Sequence, residues 1–125
     1  MAGKKIVLAI DDNLVQLNAF KSILNTKFDV CTATSASNAV NYMNNNKVDV
    51  VLLDIEMPNI SGFDFLNDIR RIPSYMNVPI IIVSGKTGKE FFDKAKKTSA
   101  FDVLSKPVIP DILVKTIENA LTSRE

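Results

Sequence analysis

An acidic side chain stands at the end of an unusually apolar stretch in this sequence. Residues 50–58 read VVLLDIEMP, and Asp54 directly follows the apolar part. A short run rich in β-branched residues and stopped by Pro58 is typical of a strand that is buried on both faces. Ligands bind at the carboxyl edge of an open parallel sheet, so Asp54 is placed for chemistry. An acid in that position is also commonly the first polar residue of a loop, so its role depends on other residues.

Other polar side chains follow the remaining apolar runs in the same way. They are Asp11 and Asp12 after residues 5–10, Ser84 after residues 78–83, and Lys106 just after residues 101–104. Whether these side chains can act together depends on the fold that positions them.

The apolar runs alternate with stretches of helical periodicity. Strands are predicted at residues 5–10, 28–34, 50–54, 78–83 and 101–104. Helices are predicted to start at Asp12 or Asn13, at Ser35 or Ser37, at Ser61, at the capping box of Thr87 and Glu90, and at Pro110. Their predicted inner faces include Leu14 in the first helix and Ile109 and Ile112 at the last one.

This alternation predicts an α/β fold, a doubly wound parallel sheet of the flavodoxin-like (βα)5 type. Because parallel crossovers are right-handed, few topologies remain, and five strands favour the order 2-1-3-4-5. In that order the first, third, fourth and fifth strands are contiguous. Asp11, Asp12, Asp54, Ser84 and Lys106 are then expected at one edge of the sheet.

The composition is that of one soluble globular domain over residues 1–125, with 46% hydrophobic and 23% charged residues. The formal net charge of +1 argues against direct binding of nucleic acid. The sequence shows neither a run of about 20 apolar residues nor a signal peptide, so we expect a cytoplasmic protein without membrane insertion. The absence of histidine excludes Ser-His and Cys-His nucleophile pairs and the commonest zinc sites.

Three carboxylates at one edge of the sheet repel one another. Two like charges about 4 Å apart repel by roughly 4 kcal/mol at an effective dielectric near 20. Such a cluster implies a counter-charge, and its oxygen ligands suit Mg²⁺, which keeps waters and accepts phosphate oxygens. With Lys106 and the Ser84 hydroxyl beside it, the cluster favours attack by Asp54 on the phosphorus of an incoming phosphoryl group.

Together these motifs resemble the receiver domains of two-component response regulators, over essentially the whole chain. The resemblance rests on the motifs Asp11-Asp12, residues 54–58 (DIEMP) with Gly62 following, Ser84-Gly85 and Lys106-Pro107, each at the end of a predicted strand. Each motif is weak alone, and their common order makes the resemblance specific.

The resemblance implies a role for each of these residues. Asp54 would accept the phosphoryl group, and Asp11, Asp12, Asp54 and the backbone carbonyl of Glu56 would hold Mg²⁺. Ser84 would be the switch hydroxyl, and Lys106 would pair with Asp54 or its phosphoryl group across a cis Lys106-Pro107 peptide. The Glu56 side chain either only faces solvent or affects how water reaches the phosphoryl group. Such a domain catalyses its own phosphorylation and dephosphorylation.

One position departs from the family pattern. An aromatic residue normally lies three positions before the lysine, where this chain has Val103. Valine cannot make the same inward rotation, so we hypothesise that the signal passes mainly through the fourth helix, whose apolar face is weak. Whether Phe101 takes the aromatic role stays open at this point.

The resemblance also implies partners. The phosphodonor would be a sensor histidine kinase or a histidine phosphotransfer protein, and a downstream protein would bind the face of the fourth and fifth helices. The domain would act alone or as part of a larger protein.

Three other readings are weaker. A haloacid-dehalogenase-type phosphohydrolase needs aspartate where Glu56 stands and its acidic pair downstream. A flavin module needs a phosphate-binding loop after the first strand. A pseudo-receiver that is never phosphorylated does not need the complete set of acidic, hydroxyl and lysine residues.

Overall fold

A computed structural model describes residues 3–57, 61–86 and 88–123. Its strands are β1 (Ile6–Ile10), β2 (Asp29–Ala33), β3 (Val50–Asp54), β4 (Ile80–Ser84) and β5 (Asp102–Ser105). Its α-helices are α1 (Leu14–Leu24), α2 (Ala36–Asn45), α3 (Gly62–Arg70), α4 (Lys89–Lys96) and α5 (Pro110–Ser123), with a 3₁₀ turn at Pro73–Tyr75.

The strands form one parallel sheet in the order β2-β1-β3-β4-β5, which confirms the predicted fold. All residues of β3 and β4 are buried, as expected for central strands covered on both faces. One apolar core packs under α2 and α3, around Phe65, Leu66 and Ile69. The other packs under α1 and α5, around Phe20, Leu113 and Ile117.

Local capping fixes where the first two helices begin. The Asn13 side chain accepts hydrogen bonds from the backbone N–H groups of Val15 and Gln16, and Ser35 accepts one from Asn38. Ser61 makes no side-chain capping bond at the start of α3. The helix α4 starts from Gly88, which has a φ of +111° and offers no side-chain cap. Pro58 and Thr87 lie outside the described residues.

Three apolar residues predicted to face the core are instead exposed. Leu14 is 64% exposed, Ile109 57% and Ile112 48%. All three lie in or just before the first turn of a helix that begins at the carboxyl edge of the sheet. Helical periodicity predicts which side of the helix a residue lies on. It does not predict whether the sheet extends far enough to cover the first turn of that helix.

Among the described residues, no helix has the length and apolar character needed to cross a membrane.

Candidate phosphoryl-transfer site

The site lies where β1, β3, β4 and β5 end together at the carboxyl edge. Asp54 is the last residue of β3 and pairs with Val83, next to Ser84 at the end of β4. Ser84 pairs with Ser105, and the Lys106 N–H donates to the Ser84 carbonyl at 2.8 Å. The parallel register therefore brings together side chains that are far apart in the sequence.

Three carboxylates form the acidic part of the site. Asp11, Asp12 and Asp54 each offer an oxygen, and these oxygens all lie within 4.8 Å of one another. Asp11 is only 1% exposed and Asp54 only 4%, whereas Asp12 is exposed to solvent. The sequence prediction that these acids converge is thus correct.

Backbone groups fix the two buried carboxylates. The Asn13 N–H donates to Asp11 Oδ1 at 2.9 Å, and the Glu56 N–H donates to Asp54 Oδ1 at 3.0 Å. Each acid is therefore held by the loop that directly follows its own strand. Such bonds to an ionised acceptor are among the stronger ones in proteins, and they orient the carboxylates before any ligand binds.

Gly62 allows the start of α3 to approach the end of β3 closely. A Cβ at this position would lie 2.5 Å from the Ile55 Cα and 3.1 Å from the Asp54 carbonyl oxygen. Only glycine fits such a close approach to backbone. This close approach to the backbone explains why the sequence motif includes a glycine after Asp54.

Lys106 supplies the positive charge. Its Nζ lies 3.0 Å from Asp11 Oδ2 and 3.7 Å from Asp54 Oδ1. The expected pairing with Asp54 is present, but the shorter contact is to Asp11. The Lys106-Pro107 peptide is cis, as expected.

The acidic cluster changes how these groups hold protons. Burial is the main cause that raises the pKa of Asp54 to about 6. The Glu56 N–H and the Lys106 charge oppose this rise in pKa, and the charge of Asp11 adds to it. Burial alone would lower the pKa of Lys106, but its hydrogen bond to Asp11 and the charge of Asp54 outweigh burial and raise that pKa.

These features fit a hard divalent cation. The donor set consists of carboxylate oxygens, one of its three acids faces solvent, and the single lysine leaves the negative charge only partly compensated. Mg²⁺ binds through few carboxylates and retains waters, so it suits such an open arrangement.

The Ser84 hydroxyl is held by Glu56 and by the backbone of the loop after β4. It is 1% exposed, donates to Glu56 Oε1 at 2.9 Å and accepts from the Lys86 N–H at 3.0 Å. The same Glu56 oxygen accepts from the Gly85 N–H at 3.0 Å. No sequence motif predicts this contact, because Glu56 lies in the loop after β3 and Ser84 lies 28 residues later, at the end of β4.

The position of Phe101 settles whether it can replace the missing aromatic residue. Phe101 precedes β5, its N–H donates to the Ile80 carbonyl, and it is 40% exposed. It therefore lies at the opposite, amino end of the strand from Ser84. Val103 is half-buried against the core beneath α2 and α3.

Known proteins share both this sequence pattern and this fold. The family model for the response regulator receiver domain matches residues 7–118. The chemotaxis protein CheY4 of Vibrio cholerae superposes with a TM-score of 0.88 at 28% identity, covering 95% of this chain and 100% of that one. A receiver domain protein of Clostridium thermocellum superposes with a TM-score of 0.86 at 32% identity, covering 96% of each chain.

Curated relatives are longer than this chain. The 3',5'-cyclic-nucleotide phosphodiesterase regA of Dictyostelium discoideum is 31% identical over 97% of this chain, which spans 16% of that protein. Response regulator SaeR of Staphylococcus aureus is 33% identical over 76% of this chain, which spans 40% of that protein.

The family match extends across the sheet and includes the ends of β1, β3, β4 and β5, where the acids, the serine and the lysine meet. This chain belongs to the response regulator receiver domains of two-component signalling.

Proposed function

We propose that Asp54 accepts a phosphoryl group in a Mg²⁺-dependent reaction and that Ser84 and Lys106 respond to it. The observation that supports this most is the cluster of three carboxylates within 4.8 Å, with Lys106 in contact with two of them. A cluster that only stabilised the fold would gain nothing from two buried, mutually repelling acids.

The transfer is a substitution at phosphorus. An Asp54 carboxylate oxygen forms a new P–O bond, while the bond from phosphorus to the donor nitrogen or oxygen breaks and the leaving group takes the electron pair. Asp11, Asp12, Asp54 and the Glu56 carbonyl would hold Mg²⁺, which supplies charge stabilisation for the phosphoryl oxygens. Lys106 lies close enough to Asp54 to offset part of the added charge of roughly −1.5 to −2.

The phosphodonor is a histidine kinase or a histidine phosphotransfer protein, and the reaction takes place in the cytoplasm. The match to the receiver-domain family supports this proposal. A phosphotransfer profile against purified histidine kinases and phosphotransfer proteins tests the donor class. Transfer from none of them, with acetyl phosphate still effective, would count against it.

A downstream protein binds the face of α4 and α5. Ile112 on α5 is 48% exposed and Phe92 on α4 is half-buried, so each of the two helices offers apolar area to a partner. The net charge of +1 gives no support for nucleic acid as the direct target. Ile112→Arg is expected to weaken binding of a purified target, whereas Leu14→Arg on α1 is not.

Labelling with acetyl phosphate tests the acceptor. Intact-mass spectrometry of the wild-type protein with Mg²⁺ should show one added phosphoryl group, which Asp54→Asn abolishes. Removal of Mg²⁺ by a chelator should prevent labelling, and added Mg²⁺ should restore it.

Asp68→Asn is the matched control, because Asp68 is an exposed acid on α3 whose ion-pair partner is Arg71. It should be labelled like the wild type. Continued labelling of Asp54→Asn at another carboxylate would contradict the assignment.

A further inference from the structure

Glu56 connects the acceptor strand to the switch serine through two different parts of the residue. Its backbone N–H donates to Asp54 Oδ1 at 3.0 Å. Its side-chain Oε1 accepts from the Ser84 hydroxyl at 2.9 Å and from the Gly85 N–H at 3.0 Å. One residue therefore touches both the phosphoacceptor and the loop after β4.

The Ser84 hydroxyl has one proton to donate. In this structure that proton goes to Glu56, and the Lys86 N–H occupies one acceptor position of the same oxygen. A phosphoryl oxygen on Asp54 can bind the hydroxyl only after Ser84 releases Glu56. The two acceptors therefore compete for a single donor.

We propose that Glu56 is a positioning residue that holds Ser84 in the unphosphorylated arrangement and so opposes the switch. This inference rests on the proposed function, because it requires Ser84 to bind the phosphoryl group. It goes beyond that function in assigning the Glu56 side chain, which is neither a phosphoacceptor nor part of the acidic cluster found among the described residues.

The charge of the phosphoryl group favours transfer of the Ser84 hydroxyl from Glu56 to the phosphoryl oxygens. Glu56 is exposed to solvent, so its side chain can leave without creating a buried, unsatisfied carboxylate. A phosphoryl group on Asp54 adds negative charge beside a residue whose own N–H contacts that carboxylate. Repulsion then weakens the hold of Glu56 while the phosphoryl oxygens attract the hydroxyl.

The first measurement needs neither metal nor phosphoryl group. In the metal-free protein the ¹H–¹⁵N resonance of Gly85 reports its bond to Glu56. Glu56→Ala should shift this resonance, whereas Glu56→Gln keeps an acceptor oxygen and should shift it less. Equal, negligible shifts in both variants would overturn the inference.

The second measurement is the affinity for the phosphoryl mimic beryllofluoride with Mg²⁺. Loss of one half-buried hydrogen bond to a charged acceptor should tighten binding in Glu56→Ala about fivefold, or about 1 kcal/mol. Glu118→Ala, which removes an exposed glutamate on α5 paired with Lys27, should leave the affinity unchanged.

A double-mutant cycle separates positioning from simple charge repulsion. In a Ser84→Ala background there is no hydroxyl for Glu56 to hold. Adding Glu56→Ala should then tighten beryllofluoride binding much less than fivefold. The same fivefold gain with and without Ser84 would mean that Glu56 acts by its charge alone, which overturns the inference and leaves the proposed function intact. Failure of the wild type to bind beryllofluoride would overturn both.

Discussion

The two sides of the site are held in different ways. On the carboxylate side, Asp11 and Asp54 are buried, fixed by backbone N–H groups and joined to Lys106. On the hydroxyl side, Ser84 is held by the exposed carboxylate of Glu56. Phosphoryl transfer needs acids that are already oriented, and a switch needs a partner that can be released.

The helices beside the two sides show the same contrast. The helix α5, which follows Lys106, buries Leu113, Thr116, Ile117 and Ala120. The helix α4, which follows the Ser84 loop, buries only Ala95 and begins without a side-chain cap. Few buried contacts mean a small free energy of local opening, so α4 is the α-helix that can change at least cost. This agrees with the hypothesis that, with Val103 in the aromatic position, the signal passes through α4.

The largest effect is expected from the core beneath α5. Ile117 is fully buried, so Ile117→Ala should lower the free energy of unfolding by roughly 2–5 kcal/mol through lost apolar contacts and a cavity. Ile112→Ala on the same helix and Phe92→Ala on α4 should each cost clearly less, because both side chains are only partly buried. Urea unfolding measures all three. A Phe92→Ala cost equal to that of Ile117→Ala would remove the contrast between the helices.

The next effect concerns the charge balance on the carboxylate side. Lys106→Met leaves the buried Asp11 and Asp54 without their cation and should destabilise the metal-free protein at neutral pH by roughly 1–3 kcal/mol. Lys89→Met, which breaks the exposed pair with Asp93 on α4, should cost no more than about 0.5 kcal/mol. Similar losses in the two variants would show that Lys106 is no more important than a surface lysine.

A smaller effect follows from the pKa of Asp54, which is raised from 3.8 to about 6 in the folded protein. Between these two pH values the folded state keeps a proton that the unfolded state has released. The stabilising contribution of Asp54 is therefore fully present below pH 3.8 and is lost as the pH rises through about 6.

Thermal unfolding of the metal-free protein as a function of pH tests whether stability falls as Asp54 loses its proton. Asp54→Asn should lose less stability than the wild type between pH 4.5 and pH 7, an interval of roughly one to two units around the raised pKa. Mg²⁺ should stabilise the wild type more at the higher pH, because a protonated Asp54 is a poor ligand. An identical pH profile in both proteins would contradict the raised pKa.

The smallest effect is a local change in amide hydrogen exchange. Beryllofluoride with Mg²⁺ should alter amide hydrogen exchange in residues 88–100, which include α4, and leave residues 113–120 of α5 nearly unchanged. Exchange measured by mass spectrometry with peptide resolution is sufficient. No change from residue 86 to residue 100 would rule out transmission through α4.

Much of the fold and most of the site follow from the sequence. The β-branched runs of β1, β3 and β4 predict buried parallel strands, and the polar residue after each run must then lie at the carboxyl edge. The strand order is then enough to place these side chains beside one another, and right-handed crossovers restrict that order to few possibilities. It correctly brings Asp11, Asp12 and Asp54 together.

Only the tertiary structure decides which side chains touch. Lys106 lies nearer to Asp11 than to Asp54, and Ser84 donates to Glu56, because these contacts depend on rotamers and loop paths that spacing along the chain does not encode. Likewise, Ile112 has the period of a core residue and is exposed, because periodicity does not show where the sheet beneath a helix ends. The sequence thus determines which residues meet at this edge of the sheet, and the packing of the loops around them decides what holds Ser84.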